Sequence, residues 1–396
     1  MSSVVQAIPI QSGRTETERR VLSAVQAAGA LASAEIARRT GLSAQSASVL
    51  TRTLEAEGLL MRGDPMRGKV GKPQVPISLN PAGAFAFGLK IGRRRSDLVL
   101  MDFTGAIRGR RICAHAYPAP AATIAFLRRG IAELTATLTP EEQRRLSGIG
   151  IGAPFELWNW LDIVNAPKDE MMAWEDFSFT GAIAEFSDLP VSTANDATLA
   201  ATAEQVFGAG QGAVNFAYFH VGTFIGGGLI LDGKVWPGPT GNAGAFGSIP
   251  VGDTSKPGHQ LIHKASLYDL ERRLAASGLS GERLREQSPE DAETRAAIRE
   301  WVEDAAPAIA AAALAAVAVV DLDLVIVNTA LTTDLSRELT DAVRLAMENI
   351  DRQGIQTPSV VTGELGGSAG ALGAAYMPIA SRFLTGGSRL AEAAPA

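Results

Sequence analysis

An α/β fold led by a small helical head is what this 396-residue sequence predicts, and three observations carry that reading. Residues 1–80 read as helices closed by glycines, followed by two short strands. From Phe85 onward, short apolar runs alternate with longer segments of helical period, the pattern of strands covered by helices. The charge divides at the same place. Residues 1–80 hold ten Lys and Arg against six Asp and Glu, whereas the remainder holds 26 against 36. At roughly 150 residues per domain the length suits two or three domains. The expected division is 1–80 and 81–396, the second part in two lobes.

Composition narrows the class. With 46% apolar and 20% charged residues the chain can bury large cores. Its one cysteine, Cys113, excludes a disulfide framework or a Cys-based zinc or iron–sulfur site within one chain. The N-terminus lacks the basic-then-apolar order of a signal peptide, and no window holds the ~20 strongly apolar residues of a membrane span. The most apolar stretch, Ala305 to Val320, is mostly alanine, contains Pro307 and reads as a packed helix. The expectation is a cytoplasmic protein with no membrane partner.

In the head, Glu16 to Ala28 places Val21, Leu22 and Val25 at helical spacing before Gly29. Ser33 reads as the cap of a short helix, Ala34 to Arg39, closed by Thr40 and Gly41. Ser43 caps a third helix to about Glu57, with Val49, Leu50 and Leu54 expected inward. Short helix, glycine turn and longer helix make a helix-turn-helix. Leu59 to Met61 then begins a strand, Arg62 to Pro73 is a Gly-rich basic loop, and Val75 to Leu79 returns as a strand. That is a winged helix. Its second helix enters the major groove of double-stranded DNA, where Ser43, Gln45, Ser46 and Ser48 near the helix start, with Arg52 one turn on, reach bases or phosphates. Arg67, Lys69 and Lys72 on the wing suit phosphates or the minor groove. A trihelical protein-interaction domain with a solvated basic face remains the alternative.

In the body, Phe85–Ile91, Asp97–Asp102, Gly148–Ala153, Pro190–Ser192, Phe216–Val221 and Leu324–Val327 read as strands. Ile124–Leu138, Gly181–Phe186, Ala197–Phe207, Leu267–Ala276, Asp291–Val319 and Leu335–Ile350 read as helices. Gly226–Gly228 suits either a phosphate-cradling loop or a tight hairpin turn. Trp158, Trp160, Met171, Met172 and Trp174 form either a core or dimer contact, or an aromatic platform for a ligand. His115 and His220 read as packing residues. His259 and His263, spaced i, i+4, would share a face if that stretch were helical, but no third ligand accompanies them. No metal or other cofactor is expected.

The order of motifs resembles the ROK family (repressor, open reading frame, kinase), in its transcriptional-regulator branch. The residues that carry the resemblance are Gly41–Leu50, the wing end Gly71-Lys-Pro73 and Leu79-Asn-Pro81 in the head. In the body they are Gly148-Ile-Gly-Ile-Gly-Ala-Pro154, Asn195–Ala201, Val221–Gly228, Gly241–Gly247 and Gly363–Gly373. The match runs from about residue 15 to 380. It implies an actin-like two-lobed sugar-kinase fold behind the winged helix-turn-helix.

Against that family the chain has lost chemistry. Lys90 stands where family kinases place the Asp of an Asp-x-Gly-x-Thr phosphate loop, and Arg94 where they place the hydroxyl residue. A cation cannot coordinate Mg²⁺. Phe224 replaces the second glycine of the other phosphate loop, and Asn328-Thr-Ala330 replaces the adenosine-side glycines. The resemblance implies that Asn195 and Asp196 bind a sugar, with Asn165 and Asn242 in further sugar-contacting positions; Asp196 as a simple helix cap is the alternative. The family's sugar-binding Glu and its sugar- and zinc-binding His are replaced by Ala245 and Ser248, a second Glu by Ile262, and its three zinc cysteines are missing. The cleft then takes a less hydroxylated or more apolar ligand, or none. The expectation is a DNA-binding regulator, not an enzyme, controlled by a small carbohydrate-like effector. It would act as a homodimer, because helix-turn-helix readers address paired half-sites. A residual sugar kinase, or a body used only for dimerisation or protein interaction, are the other readings.

Overall fold

The computed structural model describes residues 13–65, 75–155, 157–160, 166–252 and 258–385, with backbone only at Asn159, Trp160 and Glu282. Thr15 opens α1 (Glu16–Ala28) with a capping box: its hydroxyl accepts from the Glu18 N–H, and the Glu18 carboxylate accepts from the Thr15 N–H at 2.8 Å. Val21, Leu22 and Val25 are fully buried, and Gly29, at φ 72°, ends the helix. β1 (Ala30–Leu31) follows, then α2 (Ser33–Thr40), which ends on left-handed Gly41. Ser33 is the first residue of α2, not its cap; Ala32 precedes it with no side-chain bond. α3 (Ala44–Ala56) starts from Ser43 as expected, the Ser43 hydroxyl accepting from the Ser46 N–H at 3.0 Å.

β2 (Leu60–Arg62) and β3 (Ile77–Leu79) complete an antiparallel sheet in the order β1-β3-β2. β1 is two residues long, too short to show any period in the sequence. The Gly63 N–H donates to the Pro76 carbonyl at 2.9 Å and carries the β2–β3 ladder toward the wing. Arg67, Lys69 and Lys72 lie outside the described residues.

The first body sheet holds β4 (Phe85–Ile91), β5 (Arg95–Asp102), β6 (Ile107–Ala114), β7 (Leu146–Ala153) and β8 (Val191–Asn195), in the order β6-β5-β4-β7-β8. β5 runs antiparallel to β4 and β6 antiparallel to β5, whereas β7 and β8 run parallel to β4. The second holds β9 (Phe216–Val221), β10 (Ile225–Leu231), β11 (Lys234–Trp236), β12 (Leu324–Thr329) and β13 (Ser359–Thr362), in the order β11-β10-β9-β12-β13, with the same succession of strand senses. One five-stranded plan is therefore used twice, as in an actin-like body. The backbone gathers into two compact units, Met1–Asp196 with Ala371–Ala396, and Ala197–Gly370.

In the first unit, α4 (Pro120–Thr135) is followed by three short helices, α5 (Pro140–Gln143), α6 (Lys168–Met172) and α7 (Phe179–Ala184). Phe126, Leu127 and Leu134 of α4 pack on Phe85, Phe87 and Leu89 of β4 and on Ile149 and Ile151 of β7. Met171 and Trp174 are buried in this same core, and Trp158 packs against it. The Trp174 indole N–H donates to the Pro118 carbonyl at 2.6 Å. Met171, Trp174 and Trp158 thus belong to the core, Met172 is half-buried outside it, and the Trp160 side chain lies outside the described residues.

The second unit begins where α8 (Asp196–Phe207) leaves β8, and contains α9 (Leu261–Ala265), α10 (Leu267–Ala276), α11 (Ala292–Val320) and α12 (Thr333–Glu348). Gly226–Gly228 lie inside β10, so they are neither a phosphate loop nor the turn; the hairpin turn is Gly222–Phe224. Their glycine character follows from packing. A Cβ on Gly228 would sit 2.7 Å from the Ala201 Cβ, and one on Gly227 would strike Phe246, which is stacked on Phe219 at 4.2 Å. α11 has the length and composition of a membrane-crossing helix, but it packs on α9, α10 and α12, with Trp301 fully buried.

The last helix, α13 (Ala369–Phe383), had no counterpart in the sequence reading, because its Ala- and Gly-rich start reads as a loop. It closes over the first sheet where Gly88 and Gly150 leave no side chain. A Cβ at Gly150 would overlap the Ala374 carbonyl, and one at Gly88 the Ala371 carbonyl and the Ala375 nitrogen. With α13 on one face and α4 on the other, β4 and β7 are covered on both sides, hence their near-continuous apolar runs. α13 and the residues just after it also meet the head: the Tyr376 hydroxyl donates to Gln26 Oε1 at 3.2 Å, and the Thr385 N–H to the Ser23 hydroxyl at 2.9 Å. Arg145 Nη1 adds bonds to the Glu57 and Gly58 carbonyls at 3.2 and 3.3 Å.

Candidate nucleic-acid interface and ligand site

α3 is held against the head core by Ala47, Thr51 and Leu54, with Leu50 half-buried. Val49 is 59% exposed, against the expectation that it points inward. The inward stripe is set by Ala47, Thr51 and Leu54, and Val49 falls outside it. It shares the outer face with Gln45 and Arg52, at spacings of four and three residues, which is one helical stripe. Ser43 and Ser46 are exposed, but their hydroxyls lie 2.9 Å apart within the cap, and Ser48 is half-buried. Gln45, Val49 and Arg52 therefore form the exposed outer stripe of α3, and Val49 is the member that sequence reasoning placed inward.

Much of the head's basic charge is answered locally. Arg38 and Arg39 both bond Glu35, whose carboxyl is held down at about 2 by those hydrogen bonds, Arg38's first. Arg62 pairs with Glu55 at 2.8 Å, and Arg14 with Glu57. Arg52 makes no ion pair among the described residues.

The second candidate site lies at the carboxyl ends of the parallel strands β4, β7 and β8, where open α/β sheets bind ligands. Lys90 stands near the end of β4, in register with Gly152 of β7, which pairs with Ala194 of β8. Its ammonium lies 3.9 Å from the Asp196 carboxylate, both side chains 14% exposed. Asp196 is the first residue of α8, so it belongs to the helix it was expected to precede. Arg93, in the turn after β4, is 8% exposed. Burial pulls its guanidinium down to about 9, and the charge of Asp196 opposes that shift. Asn195 ends β8 beside this group.

Asn242 is half-buried in the second unit, and Asn165 lies outside the described residues. Of the four expected ligand residues, the structure thus places Asn195 and Asp196 next to each other, and brings Lys90 to Asp196. Ala245 and Ser248 are exposed and Ile262 is buried. Asn328 joins a buried network in which its amide donates to the Tyr218 hydroxyl at 2.8 Å and to the Gly366 carbonyl at 3.0 Å, while Tyr218 lies 3.2 Å from the His220 ring.

His259 lies outside α9 and His263 within it, so the helical face that was to unite them does not form. Among the described residues no three His, Cys, Asp or Glu side chains gather as metal ligands. His115 bonds the Ser96 hydroxyl at 3.0 Å.

Comparison with known proteins agrees with these features. The ROK family profile matches residues 86–380, and the MarR family profile matches residues 12–68. The chain is 26% identical to the "Uncharacterized protein y4fQ" of Sinorhizobium fredii over 381 residues, 96% of this chain and 94% of the other. It is 26% identical to the xylose repressor of Bacillus subtilis over 218 residues, 55% of this chain and 56% of the repressor. With the DNA-binding transcriptional dual regulator NagC of Escherichia coli it shares 24% over 225 residues, 56% and 54%. The match thus spans little more than half of either regulator. Among solved structures, a ROK family transcriptional regulator described as a homolog of the E. coli MLC protein superposes with a TM-score of 0.66 at 17% identity, over 96% of this chain and 98% of that one. A ROK family glucokinase from Streptomyces griseus gives 0.60 at 22%, over 74% and 99%; at these identities the likeness is one of fold. With winged helix, doubled five-stranded body and a profile covering well over half its length, the chain belongs to the ROK family.

Proposed function

We infer that this chain is a DNA-binding transcriptional regulator of the ROK type, whose body senses a small carbohydrate-like metabolite and does not phosphorylate it. The observation that carries this is the outward stripe Gln45, Val49 and Arg52 on a capped second helix, in a head joined to a ROK body. Gln45 suits adenine, Val49 the methyl group of thymine, and Arg52 a guanine or a phosphate. Arg67, Lys69 and Lys72 extend the contact along the backbone. The protein acts in the cytoplasm as a homodimer on paired half-sites.

The non-catalytic part rests on Lys90. A divalent cation approaching Asp196 would meet an ammonium 3.9 Å from the same carboxylate. Effector and head are linked within the first unit. α13 fits the strand glycines on one side and bonds α1 on the other, so a ligand that favours one arrangement of the sheet biases the head.

The test is selection of duplexes from a random library by the full chain, followed by anisotropy titration at several salt concentrations. Saturable binding that weakens steeply with salt is the expected result; no enrichment sinks the regulator reading. An ADP-release assay with hexoses and aminosugars should stay at background, and turnover abolished by Asp196→Asn overturns the non-catalytic half.

A further inference from the structure

The positive charge of this chain does not stop at the head. Residues 81–145 hold eleven Lys and Arg against five Asp and Glu, whereas residues 146–396 hold 15 against 31. The basic excess thus continues into β4–β6, α4 and α5, within the same compact unit as the head. β6 is the outer strand of its sheet and carries Arg108, Arg110 and Arg111. Arg110 bonds Asp97 at 2.8 Å, and Arg108 lies 3.8 Å from Asp102. The two carboxylates are 5% and 4% exposed, but the arginines are 32% and 43% exposed. The acids are sunk in the sheet, and the guanidinium groups stand over them toward water. On the α4 side, Arg111 and Arg129 share one acid, Glu133, at 2.6 and 4.0 Å.

This strip begins at the head. In the β5–β6 turn the Phe103 N–H donates to the Pro81 carbonyl at 3.3 Å, and Arg145 bonds the carbonyls of Glu57 and Gly58 directly after α3. β6 runs away from that junction. At about 3.3 Å per residue, Arg108 and Arg111 lie roughly 10 Å apart, about three base-pair steps of a duplex.

We propose that this strip is a second contact surface for double-stranded DNA, gripping the phosphate backbone that flanks the site read by α3. This rests on the reading of the chain as a DNA-binding regulator, and it adds the body to the contact. A duplex carries one charge per ~1.7 Å of its axis, and arginine forks suit phosphate oxygens. Asp97 and Glu133 already hold the side chains of Arg110 and Arg111, so ordering them on the backbone costs less. Phosphate contacts place a protein without reading sequence. The strip therefore sets affinity, and α3 sets base preference. The acidic residues 146–396 repel a duplex, which confines its contact to the head and this strip.

The test uses the full chain and a duplex recovered by selection, either ending at the selected site or extended by about ten base pairs on each side. Anisotropy titrations run across a salt series. The extended duplex should bind about tenfold more tightly at low salt. Arg108→Gln, Arg111→Gln and Arg129→Gln together should abolish that gain and lower the salt slope by about 2–3. The ratio of affinities for selected and scrambled duplexes should stay the same. If the triple variant fails to fold, Arg108→Gln with Arg129→Gln, both at exposed positions, should lower the slope by about 2. Arg283→Gln, Arg299→Gln and Arg337→Gln remove the same charge from exposed positions of the second unit and should leave the slope unchanged. A slope equal to the parent's in the triple variant overturns the proposal and leaves the arginines as guards of an open strand edge. An equal fall in the second-unit variant, or an altered base preference, overturns it too. So does binding to phosphatidylglycerol vesicles that the triple variant loses while its duplex slope is unmoved, which assigns the strip to a membrane surface. Failure of the unaltered chain to bind either duplex is a separate result: it overturns the regulator reading, and the proposal with it.

Discussion

The Arg19 guanidinium donates to the Leu384 carbonyl at 2.7 Å and to that of Ser381 at 3.4 Å, so the first helix of the head holds the C-terminal end of α13. The carbonyls at a helix end are unsatisfied and partly negative, and a cation there is favourable. The bond is half-buried, which keeps it from being screened away.

Arg19→Ala should therefore loosen both partners. The lost charge-assisted bonds are worth about 1.5–3 kcal/mol. Hydrogen exchange should rise by about tenfold or more in α1 and in residues 376–385 while the β4–β7 ladder stays protected. Unchanged exchange in both segments would show that the tie contributes nothing.

The outer stripe of α3 separates two kinds of contact. Arg52→Ala should weaken binding to all duplexes; if Arg52 meets a phosphate, the slope of log affinity against log salt falls by about 1. Val49→Ala should leave that slope alone and reduce discrimination at one base pair by about 1 kcal/mol. Identical behaviour of the two variants in a salt series would contradict the assignment.

Gly150 answers to backbone, not to side chains. Its replacement by alanine would drive a Cβ into the Ala374 carbonyl, which no rotamer can relieve. Gly150→Ala should cost about 1–3 kcal/mol or more, seen as a lower urea midpoint with unchanged slope. Gly367→Ala, where a Cβ meets nothing within 4 Å, is the paired control and should change stability by less than about 0.5 kcal/mol. Equal midpoints for the two variants would remove the packing argument.

His115 makes stability depend on pH. Burial first, then the positive charge of Arg94, lowers its pKa to about 4, below the ordinary value of 6.5. The folded state therefore disfavours the proton that the unfolded chain accepts. Its contribution is complete above about 6.5 and is lost as pH falls toward 4. Thermal midpoints should drop across that window, and His115→Gln should flatten the drop. A variant with the same profile as the parent would assign the pH dependence elsewhere.

Much of this protein was legible in the sequence. The glycine that ends α1, the Ser43 cap of α3, the β4 run and the bounds of α10 follow from local rules that need no partner. Lys90 at the end of the first body strand was visible too, as was the Asn195-Asp196 pair. By itself the sequence determined a winged helix followed by a ROK-type body. What only the tertiary structure decided is which faces meet. Val49 reads as apolar and inward, but the inner stripe was already occupied by Ala47, Thr51 and Leu54. Gly226–Gly228 read as a phosphate loop or a turn, but glycine there admits Ala201 and Phe246. α13 has weak local signals, because its stability comes from a seam with Gly88 and Gly150 more than two hundred residues away in the chain. Lys90 and Asp196, likewise far apart in sequence, became one charged group only when β4 and β8 were laid on either side of β7. Periodicity and capping report a residue's own turn of chain, whereas charge balance and close approach depend on what the fold sets opposite it.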